Sequence, residues 1–171
     1  MNEKYIHGYS QTEQERLVSQ GQVLSPFIFD RLDLSQVSQL LEVGSGVGAM
    51  TLAIRERYPN LPITCLEISE TQIEKAKENL RKANFENNIK LLQADARKTN
   101  LPENSTFDGA FLCWILEHVP NPEKVLVELY RILKIIVRFL LQKSFTAVFI
   151  CFQNVRISNY IGKNLLIFNQ L

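Results

Sequence analysis

Along the first 134 residues the apolar positions follow two different repeat lengths in turn. Four short apolar runs have the length of strands buried on both faces: "SQLLEV" at 38–43, "PITCLEI" at 62–68, "IKLLQA" at 89–94 and "FDGAFLC" at 107–113. Between them lie segments of helical period. "GAMTLAIRERY" follows the first run and is stopped by Pro59. "SETQIEKAKENLRKANF" is capped by Ser69 with Gln72 at the third position, and Ile73, Ala76, Leu80 and Ala83 form its apolar stripe. "NPEKVLVELYRIL" takes Asn121 as cap and Pro122 as its first helical residue, with Val125, Leu126, Leu129, Ile132 and Leu133 facing inward. Upstream, "SQTE" at 10–13 has the form of a capping box, Ser10 capping and Glu13 reaching back, and starts a helix through Leu17 and Val18. Ser25-Pro26 reads as a second helix start.

Strands alternating with helices predict an α/β protein with a Rossmann-like parallel sheet and helices on both faces. In such sheets ligands sit beyond the carboxyl ends of the strands. The residues to inspect are therefore Glu42 to Gly48, Glu67-Ile68, Asp95-Ala96 and Cys113 to His118.

Composition narrows the function classes. At 171 residues the chain has room for one hydrophobic core, and 46% apolar with 22% charged residues is ordinary for a globular protein. A net charge of +1 offers no bulk field for nucleic acid or anionic lipid. Cys65, Cys113 and Cys151 form no CxxC pair, so they read as free thiols in a reducing compartment, with neither a disulfide frame nor a metal site. "MNEKYIHGYS" is too polar for a secretory signal. The longest apolar stretch, "IIVRFLLQKSFTAVFICF", is broken by Arg138, Gln142 and Lys143, which disfavours a membrane span. The expected location is cytoplasmic. No feature sets the oligomeric state.

The strand ends carry the chemistry. Gly44, Gly46 and Gly48 form a Gly-x-Gly-x-Gly loop at the end of the first run. Bare backbone there lets a ligand approach, and the helix start behind it supplies free N–H groups; a merely permissive turn is the alternative. Glu67, at the second strand end, can accept both hydroxyls of a ribose, a device that NAD enzymes share. Asp95 could accept from an adenine amino group, with the Ala96 N–H near a ring nitrogen. Cys113 and Trp114 lie beside the same crevice.

The series "LLEVGSGVG … CLEIS … LLQADA … FDGAFLCWILEHVPNPEKVLVELYRILK" resembles the class I S-adenosylmethionine-dependent methyltransferases, over about 95 residues from 40 to 134. "YIHGYSQTEQERLVSQ" is similar to the entry helix of a small-molecule methyltransferase subgroup. The resemblance implies S-adenosylmethionine as cofactor. It implies that Glu42, Gly44, Ser45 and Gly46 line its methionine moiety, that Glu67 holds the ribose, and that Ile68 stacks on the adenine. It further implies that Asp95 and Ala96 recognise the adenine edge, that Cys113 and Trp114 flank the cofactor, and that Tyr9 and Gln20 fold over the site as a lid. His118 is the one candidate base, its alternative being to order the loop before Asn121; Glu117 is a loop carboxylate. "CWIL" lacks the Asn/Asp-Pro-Pro-aromatic run of enzymes acting on adenine or glutamine amides, and no basic stripe for nucleic acid is present. The expected acceptor is a small molecule or lipid-like metabolite.

The tail departs from this pattern. Every acidic residue lies at or before Glu128, and the last 37 residues hold four basic residues and five of the ten phenylalanines. The family's Pro-Gly-Gly continuation is missing after Lys134. Three segments are expected: a helical lid or substrate segment at 1–36, the cofactor-binding core at 37–134 and a basic, Phe-rich tail at 135–171. The sheet is expected to be incomplete at its C-terminal strands, with "SFTAVFICF" in the fifth-strand place and "VRISNY" and "NLLIFNQL" as short further strands, or the tail to come from a shifted reading frame. Three functions follow: a methyltransferase, a non-catalytic cofactor-binding remnant of one, or an NAD-dependent oxidoreductase, which the glycine spacing and Asp95 disfavour.

Overall fold

The computed structural model describes residues 10–30, 32–103 and 105–133, and the backbone of two further strands at 138–142 and 147–151. Its elements are α1 (Gln11–Phe29), β1 (Leu40–Val43), α2 (Ala49–Arg57), β2 (Ile63–Glu67), α3 (Glu70–Lys82), β3 (Ile89–Gln93), β4 (Gly109–Cys113), α4 (Pro122–Ile132), β5 (Arg138–Gln142) and β6 (Ala147–Cys151). The sheet order is β3-β2-β1-β4-β6-β5. β1 pairs in parallel with β2 and β4, and β2 with β3, as the alternation of strand and helix predicts.

Alternate strand residues feed two cores. Leu40, Ile63, Cys65 and Phe111 pack with Ile28 and Phe29 of α1 and Met50 and Ile54 of α2. Leu41, Val43, Leu66, Ala110 and Leu112 pack with Val125, Leu129 and Ile132 of α4. Both faces of the central strands are thus covered, the condition for a continuous apolar run. β3 is the exception: at the sheet edge its residues are half-buried or exposed.

The local signals resolve in three ways. Ser10 and Ser69 cap as expected, accepting from the N–H groups of Glu13 and Gln72. The Glu13 carboxylate takes the guanidinium of Arg16 one turn on. Asn121 precedes α4 but its side chain caps nothing; it adopts φ 56°, a left-handed turn that asparagine tolerates.

Ser25-Pro26 does not start a helix, since α1 runs through it to Phe29. Pro26 has no N–H for the carbonyl of Gln22, and the Ser25 hydroxyl donates to that carbonyl instead, at 3.4 Å. The hydroxyl that looked like a cap repairs the helix.

An antiparallel pair extends the parallel strands. β6, inside "SFTAVFICF", lies beside β4 but runs antiparallel to it, and β5 pairs antiparallel with β6. A short β5–β6 link forces a hairpin, whereas a parallel strand needs a crossover of a dozen or more residues. "VRISNY" and "NLLIFNQL" lie outside the described residues.

Candidate functional site

β1 ends at Val43, and Gly44, Gly46 and Gly48 all take positive φ, at 70°, 54° and 76°. The loop is stitched to the tip of β2. Gly44 and Ser45 both donate N–H to the carbonyl of Leu66, at 2.8 and 3.1 Å. Gly46 N–H donates to Glu67 Oε2 at 2.9 Å, and Ser69 N–H to Glu67 Oε1 at 2.8 Å. Glu67 therefore braces the glycine loop and the start of α3 together, and each carboxylate oxygen keeps a lone pair for a ligand hydroxyl. Burial pushes its pKa up in spite of these backbone donors. The Ala94 N–H donates to the Glu67 carbonyl at 3.0 Å, which joins the β3 tip to the same unit.

Glu42 points into the site from within β1 and is 2% exposed. The hydroxyl of Thr51 donates to its Oε2 at 2.6 Å, and the Cys65 thiol lies 3.6 Å from the same oxygen. No cation meets it among the described residues, and burial raises its pKa to about 7. Burial likewise raises the Cys65 and Cys113 thiols, which removes them as nucleophiles. The Asp95 carboxylate is already engaged by Arg97, through its backbone N–H at 2.9 Å and its guanidinium at 2.8–3.1 Å. Arg97 holds its pKa below the usual carboxylate range.

These tips surround one cavity of about 1070 Å³. It brings together Gln20, Glu42, Gly44, Ser45, Gly46, Glu67, Ile68, Asp95, Ala96, Cys113, Trp114, Glu117 and His118. Tyr9 lies outside the described residues. Gly46 meets nothing within 4 Å of where a Cβ would stand, so the loop leaves open space at that point. Ser45 Oγ is buried without a hydrogen-bond partner. Ile68 is 56% exposed, an apolar surface left uncovered at the rim. His118 donates its N–H to the Ile115 carbonyl at 2.9 Å and sets Nε2 3.5 Å from Glu117 Oε1. Among the described residues no cluster of potential ligands could hold a metal ion, and no helix is long and apolar enough to cross a membrane.

Comparison with known proteins fits this geometry. The profile of the methyltransferase domain family matches residues 41–141. The chain belongs to the methyltransferase domain family. That assignment displaces the NAD-dependent alternative, for the family uses S-adenosylmethionine. The sterol 4-C-methyltransferase strm-1 of Caenorhabditis elegans is 32% identical over 107 residues, covering 63% of this chain and 31% of that protein. The ubiquinone/menaquinone biosynthesis C-methyltransferase UbiE of Rickettsia akari is 33% identical over 107 residues, 60% of this chain and 43% of that one. The chain thus spans less than half the length of these relatives. Among solved structures, a SAM-dependent methyltransferase from Aquifex aeolicus shares the fold at a TM-score of 0.61 and 21% identity, covering 73% of this chain and 68% of that one. The [4+2]-cyclase SpnF matches at 0.58 and 27%, covering 66% and 40%.

Arg16 and Leu17 of α1 and Gln72 of α3 also line this methyltransferase cavity, and sequence reasoning missed them. Gln72 is 3% exposed, and its Oε1 accepts from Gln14 of α1 at 3.3 Å. Its position in the first turn of α3 was the available signal. Side chains on a helix lean toward its N-terminus, here toward the β2 tip. Arg16 and Leu17 could not be found that way, because only packing brings α1 over the glycine loop. At the α1–α2 crossing a Cβ on Gly21 would stand 2.9 Å from Ala49 Cβ.

Proposed function

We propose that this chain binds S-adenosylmethionine across the tips of β1 to β4 and transfers its methyl group to a small, lipid-like acceptor. One observation carries the reading: four successive strand ends deliver Glu42, Ser45, Glu67, Asp95 and Trp114 into a single cavity. At about 1070 Å³ it slightly exceeds the span of about 300–1,000 Å³ usual for a single-ligand pocket, which suits a cofactor and an acceptor side by side.

The residues fit the cofactor's parts. Glu42 is a buried carboxyl with no cation of its own, suited to an ammonium. Ser45 Oγ is a buried polar atom without a partner, and the α2 N-terminus behind Gly48 has no side-chain cap, so both can serve a carboxylate. Glu67 is braced at the height of the ribose, and Ile68 offers its open apolar face to the adenine. Asp95 would meet the adenine edge with the oxygen capacity that Arg97 leaves. When bound, the sulfonium supplies an already activated methyl group. The chain's own task is alignment and exclusion of water, and alignment of reactants can contribute about 7–11 kcal/mol in favourable cases. His118 is placed either to take a proton from an acceptor or to order the loop before Asn121.

Relatives named for a sterol, a quinone and a phytyl hydroquinone support a lipid-like acceptor. In this reading the segment 1–36 forms one wall, 37–134 the cofactor core, and 135–171 a tail that replaces the last strands. The free thiols of Cys65, buried, and Cys113, half-buried, are consistent with a cytoplasmic setting. A second reading, a cofactor-binding remnant without turnover, is favoured by the antiparallel strand beside β4.

Calorimetry with S-adenosylmethionine, followed by methyl-transfer assays on quinol, sterol and alkaloid acceptors, separates the two. Binding with turnover is expected. Binding without turnover selects the remnant, and no binding removes both. In the same assay Glu67→Ala is expected to weaken cofactor affinity by about 1.5–3 kcal/mol, the range for hydrogen bonds to a charged group. Unchanged affinity would take Glu67 out of the site.

A further inference from the structure

Among the described residues, five other than glycine adopt positive φ: Asn84, Asn88, Asn100, Asn121 and Trp114. Four are the type that tolerates a left-handed backbone through its short polar side chain. Trp114, at φ 58°, is the exception. It follows the last residue of β4 just as Gly44 follows the last residue of the neighbouring β1, and there the sequence uses glycine for the same bend. A bulky residue held in such a conformation calls for a reason outside the turn.

The side-chain pattern supplies one. Leu112 faces the α4 core and Cys113 the α1–α2 core, so strict alternation would send the next side chain toward α4. The left-handed bend breaks the alternation. Trp114 packs against the α1–α2 core as well, while Ile115 crosses to the α4 core and closes over Gly44. The indole thereby lines the cavity, whose apolar lining includes Leu17 of α1 and Val119 and Pro120 of the loop after Trp114. These four lining residues are apolar, whereas Glu42, Ser45, Glu67 and Asp95 are polar.

We propose that Trp114 is a specificity-determining residue for the methyl acceptor: its left-handed backbone holds the indole as the flat wall on which an apolar acceptor ring lies. The proposal rests on the methyltransferase reading, and the experiment separates the two. Trp114 is the chain's single tryptophan, so indole emission reports this place alone. The full chain, saturated with S-adenosylhomocysteine, is titrated with a monoalkyl hydroquinone, while binding is followed independently by equilibrium dialysis. A saturable change in emission that tracks the dialysis curve is expected. Trp114→Asn keeps a residue suited to the bend and removes the wall, so probe affinity should fall about tenfold or more, the scale of losing one aromatic contact and its burial. The variant's own affinity for S-adenosylhomocysteine is measured first and the chain saturated anew, so that the probe titration compares acceptor binding alone. Trp114→Phe keeps the flat ring and should retain most probe binding. Probe binding with unchanged emission, or an Asn variant that binds the probe as the parent does, would reduce Trp114 to a turn residue while leaving the cofactor reading intact. Failure of the parent to bind S-adenosylhomocysteine would remove both.

Discussion

Gly44→Ala is expected to unfold at clearly lower denaturant concentration than the parent and to lose cofactor binding at the parent's working concentrations. Two independent costs meet at this position. Its φ of 70° lies where a side chain crowds the following carbonyl, a penalty of about 1–2 kcal/mol. An added Cβ would also stand 2.5 Å from Ile115 Cδ1 and 3.0 Å from both Cβ and Cγ1 of that residue. Because three atoms of one side chain are involved, a single rotamer change does not clear the space, and overpacking of this kind costs about 1–3 kcal/mol. The sum, about 2–5 kcal/mol, is a large share of the stability of a small domain. The double variant Gly44→Ala/Ile115→Ala tests the division. It should recover the packing part, beyond the loss from Ile115→Ala alone, and leave the backbone part. Equilibrium urea unfolding reads all four chains; a Gly44→Ala chain as stable as the parent would refute the account.

The second large effect is a pH dependence centred on Glu42. Its carboxyl has a folded-state pKa of about 7 because burial disfavours the charged form, against an ordinary 4.5. Between these values the folded state holds a proton that the unfolded state has released. Stability from this group is therefore greatest at and below pH 4.5, declines as pH rises, and is fully lost above 7. With 1.36 kcal/mol per pKa unit, the decline amounts to about 3 kcal/mol. Glu67, also raised by burial, acts in the same direction. Glu42→Gln keeps the shape and cannot ionise, so the difference in unfolding free energy between variant and parent should grow in the variant's favour from pH 5 to 8. A difference that does not change with pH would mean that Glu42 is not buried in its charged form.

The same group ties cofactor binding to protons. An ammonium placed beside Glu42 favours the carboxylate and lowers its pKa. Binding near pH 6.5 should then release protons, visible in calorimetry as an observed enthalpy that varies with the ionisation enthalpy of the buffer. Affinity should rise with pH up to about 7 and level off beyond it. In Glu42→Gln the proton release should vanish.

Much of this site was legible residue by residue. The apolar runs marked β1 to β4, because strands covered by helices are mostly apolar, Glu42 being the buried polar exception within β1. Once the strands were known, their carboxyl ends named Glu42, the glycine loop, Glu67, Asp95 and Trp114, since sheet topology alone puts strand ends around one crevice. Ser69 and Ser10 were readable as caps because capping is a contact across three residues. Ser25-Pro26 misled for the same reason: hydroxyl and proline form the same local pair at a helix start and at a repaired interior turn.

Other features depend on contacts between residues far apart in the chain, and no local pattern contains them. Arg16 and Leu17 reach the cavity because Gly21 lets α1 close on Ala49 of α2. Glu67 was visible as a carboxylate at a strand end, but its grip on the N–H groups of Gly46 and Ser69 required folded loops. Nothing in "CLEIS" announces that Cys65 shares a buried cluster with Glu42 and Thr51, or that "CWIL" bends left-handed at its tryptophan. The direction of β6 was hidden too, since a β-rich segment has the same composition whichever way it runs. Periodicity and turn chemistry are short-range and are written in order along the chain. Charge states, cavity walls and strand direction are set by neighbours that only the closed structure brings within a few ångströms.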